Sequence, residues 1–138
     1  MSTTNLTRGA LRASIACQLT AAAILGQTLY FKFSGAEALE DVARLLGVEP
    51  WGRLGSGVAE LACVLLLLLP RTAVYGALLS LAVISGALGS HLFVLGIEVR
   101  GDGGLLFGLA LAVFAASAAV VALRRAEFPV VGRRFRPA

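Results

Sequence analysis

Hydrophobic positions in this chain fall into four long runs rather than the alternating or striped patterns of soluble strands and helices. The runs cover about Ala13 to Phe31, Pro50 to Leu69, Thr72 to Leu95 and Gly103 to Leu123. Each has about the 20 mostly apolar residues that cross a bilayer at roughly 1.5 Å per residue, so each predicts a membrane-spanning helix. The connections between them are short and polar. The pattern therefore predicts an all-α, integral-membrane, antiparallel four-helix bundle forming one domain.

One connection differs in kind. In Ser34 to Gly47, SGAEALEDVARLLG, a helix places Ala36, Leu39, Val42, Ala43 and Leu46 on one face and Glu37, Glu40, Asp41 and Arg44 on others. That amphipathic pattern predicts a short interfacial helix over about residues 35–47, either a plain connector or a lid. Ser34 and Glu37 have capping-box spacing, and Gly47 is a natural stop. Pro50 is expected at the first helical position of span two, with Trp51 at the interface. The Pro70-Arg71 turn makes span three an antiparallel neighbour of span two, and Asp102 is placed to cap span four. Gly104, Gly108, Ala112 and Ala116 recur every fourth residue in span four, a smooth stripe for helix packing.

Composition narrows the class without changing the architecture. The chain of 138 residues is 58% hydrophobic and 14% charged, with a mean hydropathy of +0.86, which excludes an ordinary soluble domain. Its formal charge of +4 follows membrane sidedness rather than a nucleic-acid surface, and no nucleic-acid partner is expected. Arg8, Arg12, Arg71, Arg124, Arg125, Arg133, Arg134 and Arg136 fall on one side, against Lys32, Arg44, Arg53 and Arg100 on the other. The positive-inside rule then predicts cytoplasmic termini, with a basic cytoplasmic tail over 124–138 that can also touch anionic lipid. The start of the chain has a basic, then apolar outline, but no small-residue cleavage site follows the run, so a cleaved signal is not expected. Cys17 and Cys63, at different expected depths, read as packing residues rather than a disulfide or metal pair.

Against this apolar background the polar residues stand out. Glu60 sits about 15 Å into span two, where a carboxylate costs about 2.5 to 3.5 kcal/mol on insertion scales. Arg53 and Ser56 share its helical face, and His91, Gln27, Lys32, Glu98 and Asp102 are expected in the same outer half of the membrane, while the inner half reads as nearly all aliphatic. Intramembrane charges usually face the interior and mark proton, ion or substrate routes. Glu60, His91, Arg53, Gln27, Lys32 and Asp102 are therefore the ligand-binding or proton-relay candidates, with His91 the expected counterpart of Glu60. A buried ion pair that only fixes helix register is the plainer reading. The carboxylate and imidazole suit proton transfer near neutral pH, or hydrogen bonding to a quinone head group between apolar walls. No metal site is expected, because ligand spacing is lacking, and no residue can be given a catalytic role. A single histidine also excludes bis-histidine haem ligation.

The strings FKFSGAEALEDVARLLGVEPWGRLGSGVAEL, SGALGSHLFVLGI and DGGLLFGLAL together resemble the DoxX-like family of small four-span bacterial membrane proteins, over roughly residues 11–125. The resemblance implies a four-helix fold in the bacterial inner membrane and a link to quinone or redox chemistry, since relatives include a membrane subunit of a thiosulfate:quinone oxidoreductase. Two functional expectations follow. In one, a redox-linked subunit binds a quinone-like amphiphile in an outer-half polar pocket. In the other, a non-enzymatic accessory subunit packs through its small-residue faces against a larger membrane complex or further copies of itself.

Overall fold

In lipid every backbone polar group must be satisfied within the protein, so apolar runs of this length close their hydrogen bonds as helices. The computed structural model describes residues 6–128, within which the fold is all-helical; the tail arginines 133, 134 and 136 lie outside the described residues. Helix α1 spans Arg8–Phe33, α2 Glu37–Leu45, α3 Trp51–Leu68, α4 Ala73–Ser90 and α5 Leu105–Leu123. A π turn over His91–Leu95 extends α4, and a 3-10 turn over Arg125–Glu127 follows α5. Helices α1, α3, α5 and α4 with its extension are long and apolar enough to cross a membrane. This is a multi-pass membrane protein.

The four spanning helices form a ring in which α1 packs on α3 and α5, and α4 packs on α3 and α5. Along its axis lie Ala21, Leu25, Cys63, Leu67, Ala77, Ile84, Val113 and Val120, all buried. Lipid supplies no hydrophobic force between helices, so close packing of small side chains holds them together. Gly76 shows how close: a Cβ there would stand 2.6 Å from the backbone nitrogen of Leu67. The α3 and α4 backbones touch because glycine has no side chain.

Local signals differ from expectation in three places. Helix α1 begins at Arg8, earlier than the apolar run, because Thr7 caps it by accepting a hydrogen bond from the Ala10 N–H. Ser34 forms no capping box: it closes α1, its hydroxyl donating to the Phe31 carbonyl, and the N-cap of α2 is Ala36. Pro50 is the N-cap of α3 rather than its first helical residue.

Helix α2 lies across one end of the bundle, touching α1, α3 and the π turn. Arg100, in the α4–α5 loop, reaches Asp41 at 2.9 Å and Glu37 at 3.7 Å. These ion pairs are exposed and each adds little stability. Ala43 and Val99, both buried, supply the apolar part of this closure.

Candidate membrane-embedded polar site

Helix α1 turns Ser14, Gln18, Ala21, Ala22, Leu25 and Leu29 inward. Lys32 lies three residues beyond Leu29 and seven beyond Leu25, so the same face carries it toward α3. On α3, Glu60 shares the inward face with Gly57, Cys63 and Leu67. The Lys32 ammonium donates to Glu60 Oε1 at 2.6 Å and to Ser56 Oγ at 3.0 Å. The two charged side chains are only 14% and 6% exposed. A Lys ammonium has three donors, and two are used here. The second carboxylate oxygen, Glu60 Oε2, is buried without a hydrogen-bond partner.

Arg53, about two turns from Glu60 toward the α2 end, is engaged elsewhere. Its guanidinium grips Glu49 through Nε at 3.0 Å and Nη2 at 2.8 Å, and lies 3.9 Å from Glu40. Its Nη1 donates to the Lys32 carbonyl, one of the C-terminal carbonyls that α1 leaves unpaired. The hydrogen bond from Arg53 holds the Glu49 carboxyl below its usual range. Arg53 thus braces the end of α1 that carries Lys32.

The expected Glu60–His91 pairing is not what the structure forms. Gly76 abuts Leu66 and Leu67, a register that sets Glu60 level with about residue 83 of α4. His91 is then about 12 Å further along the axis. Its Nδ1 lies 2.9 Å from the Gly96 carbonyl, which can only accept, so Nδ1 carries a hydrogen. Its ring meets Phe107 edge to face, with centroids 5.6 Å apart. Asp102 is also absent from the Glu60 centre. It accepts from the backbone N–H groups of Leu106, Val99 and Gly104, and these bonds hold its carboxyl below the usual range.

Gln27 faces away from the bundle. It lies two residues from both Leu25 and Leu29, about 200° around the helix from either, so depth alone could not place it in a shared pocket. The stripe in span four is not one face either. Steps of four residues drift by about 40° each, so Ala116 turns into the core while Gly108 and Ala112 are exposed. Around Gly108 a Cβ would meet nothing within 4 Å.

A second buried polar group occupies the opposite, terminal end, which the hydropathy pattern marked as aliphatic. Arg124 is 2% exposed. It donates through Nε to Ser14 Oγ at 2.7 Å, and through Nη1 to the Pro70 carbonyl at 3.3 Å and to Glu127 at 3.0 Å. Gln18 donates to the same Ser14 hydroxyl at 2.7 Å. The signal was present: Ser14 and Gln18 continue the inward stripe of Leu25, Leu29 and Lys32. Arg124, read from the sequence as a topology arginine, also ties α5 to α1 and to the α3–α4 turn.

On the outer surface, α1 and α3 form an open apolar groove of about 440 Å³ lined by Gly26, Leu29, Tyr30, Phe33, Ser34 and Leu61. Lys32 and Glu60 do not line it; their chain neighbours Phe33 and Leu61 do, about 100° around each helix. Gly57 lets the Phe33 ring lie against α3, since a Cβ there would stand 2.9 Å from the ring. Comparison with family models, curated proteins and solved structures finds no match to this chain. The site is accordingly read from its own chemistry.

Proposed function

We propose that this protein is a redox-linked membrane subunit that binds a quinone-like small amphiphile at the α1–α3 seam, its head group at Lys32 and Glu60 and its tail along the apolar groove between the same two helices. The observation that carries this reading is Glu60 Oε2, a buried carboxylate oxygen without a partner. An unmade hydrogen bond in an apolar interior is costly, and native proteins rarely keep one without a use. The spare Lys32 donor suits a ring carbonyl, and Glu60 Oε2 suits the hydroxyl of the reduced form. The groove walls of Leu29, Tyr30, Phe33 and Leu61 suit an apolar tail. Arg53, bound to the Lys32 carbonyl, positions the donor.

The resemblance to DoxX-like proteins supports this reading, and with it a bacterial inner-membrane location. The Lys and Arg distribution supports cytoplasmic termini, which puts Glu60 and α2 toward the outer side. Protein purified in mild detergent is expected to retain an extractable quinone that Glu60→Gln loses. Wild-type protein that retains none, although folded and drawn from quinone-containing membranes, overturns the proposal.

A second reading has its own observation. Gly108 and Ala112 are exposed, which fits an accessory subunit docking α5 on a larger membrane complex. Native-membrane cross-linking from residue 108 separates the readings, since docking through α5 requires a protein adduct there.

A further inference from the structure

Outside the Lys32–Glu60 centre, Gln27 is a polar side chain that a spanning helix turns outward. Phe33 rests on Gly57 and Lys32 bonds Ser56, so α1 and α3 run antiparallel with Gln27 level with about residues 61–63. That is mid-bundle depth, inside the hydrocarbon. The side chain is exposed there and makes no hydrogen bond among the described residues. A free amide facing acyl chains has no water to replace its partners.

Its surroundings on α1 are shaped for another helix. Ala16, Thr20, Ala23 and Gln27 are all exposed and follow i, i+4, i+7, i+11 spacing, the seam of a left-handed helix pair. Thr20 has already satisfied its hydroxyl on the Ala16 carbonyl at 2.8 Å, so it offers a methyl to a neighbour. The other outward small-residue faces lack an unsatisfied group. Ser85 and Ser90 of α4 bond back to the carbonyls of Leu81 and Gly86, and Gly108 and Ala112 of α5 have no polar side chain.

From the unpaired amide and this seam we infer that α1 docks on α1 of a second copy of this chain, with Gln27 hydrogen-bonded to Gln27 of the other copy across a two-fold axis. A primary amide is at once donor and acceptor, so two identical amides satisfy each other with a pair of hydrogen bonds. That self-complementarity selects a second copy over an unrelated helix, and a two-fold contact uses the same patch on both partners. The small residues at 16 and 23 bring the backbones close enough for the amides to meet. The inference goes beyond the quinone reading and stands on different residues.

The test is self-association of the full-length protein in liposomes, read by fluorescence energy transfer while the protein is diluted into lipid. Wild type is expected to show a dilution-dependent dimer. Gln27→Leu, a substitution at a lipid-facing position, is expected to weaken it by about threefold or more, the range of interhelical side-chain hydrogen bonds in membranes. Ala23→Leu should separate the helices, while Gly108→Leu on the α5 face should leave the dimer intact. Unchanged circular dichroism of Gln27→Leu keeps misfolding from imitating the result. A monomer at all dilutions, a dimer indifferent to Gln27→Leu, or a dimer broken only by Gly108→Leu overturns the inference.

Discussion

Replacing Lys32 by Met removes the only cation bonded to Glu60 among the described residues while keeping most of the side-chain volume. With the two side chains 14% and 6% exposed, water cannot readily take the lost partner's place. Leaving one member of a buried pair alone typically costs about 3 to 5 kcal/mol. We expect the lower end, about 3 kcal/mol, because a span tolerates a lone carboxylate at about 2.5 to 3.5 kcal/mol on insertion scales. Glu60→Gln should cost less, about 2 kcal/mol, since the Lys32 ammonium keeps Ser56 and a long stem that can reach toward the interface. The double variant holds no stranded charge, and its cost should fall about 2 kcal/mol or more short of the sum. Equilibrium unfolding in mixed micelles by titration with a denaturing detergent, followed by far-ultraviolet circular dichroism, measures all three. Additivity within about 0.5 kcal/mol would refute the coupling and the ion pair with it.

Other substitutions examine the packing and the caps. Gly76→Ala puts a Cβ 2.6 Å from the Leu67 nitrogen and 2.9 Å from the Leu66 carbonyl carbon, backbone atoms that cannot swing aside, and should cost about 1 to 3 kcal/mol in the same titration. Ser117 is fully buried with its hydroxyl unpartnered, so Ser117→Ala should be neutral or stabilising by up to about 1 kcal/mol, and a clear destabilisation would reveal a missing partner. The Asp102 carboxyl is held below its usual value of about 3.9 by the backbone N–H groups it caps. Its stabilisation is therefore complete above about pH 4 and lost as pH falls from there through the lower folded-state value. The thermal stability gap between wild type and Asp102→Ala should stay constant from about pH 7 to 5 and narrow below about 4; a gap that widens with acid contradicts the cap.

The four spans were readable because hydrocarbon admits few structures, and a run of about 20 apolar residues has one way to satisfy its backbone there. Glu60 was readable for the same reason, as a carboxylate where few are tolerated. Its partner was not, because depth was used without helical face. Lys32 lies on the inward stripe of Leu25 and Leu29, whereas Gln27, at similar depth, lies opposite it. His91 was misplaced because the α3–α4 register could not be read from depth: Gly76 packed on Leu66 and Leu67 sets Glu60 level with about residue 83, so His91 lies beyond it. Arg124 was hidden by its sequence neighbours: an arginine at the end of a span resembles a topology signal, and only the register of α1 against α5 shows Ser14 waiting for it.

The most direct test of the Lys32–Glu60 centre as a head-group site is photo-labelling of the protein in membranes with a short-tailed quinone that carries a photoreactive group, followed by peptide mapping. The account predicts adducts concentrated on residues 26–34 and 57–61, displaced by excess unlabelled quinone and lost in Glu60→Gln. Label spread evenly over the lipid-facing helices, or labelling of the seam that neither competitor nor Glu60→Gln reduces, would contradict it.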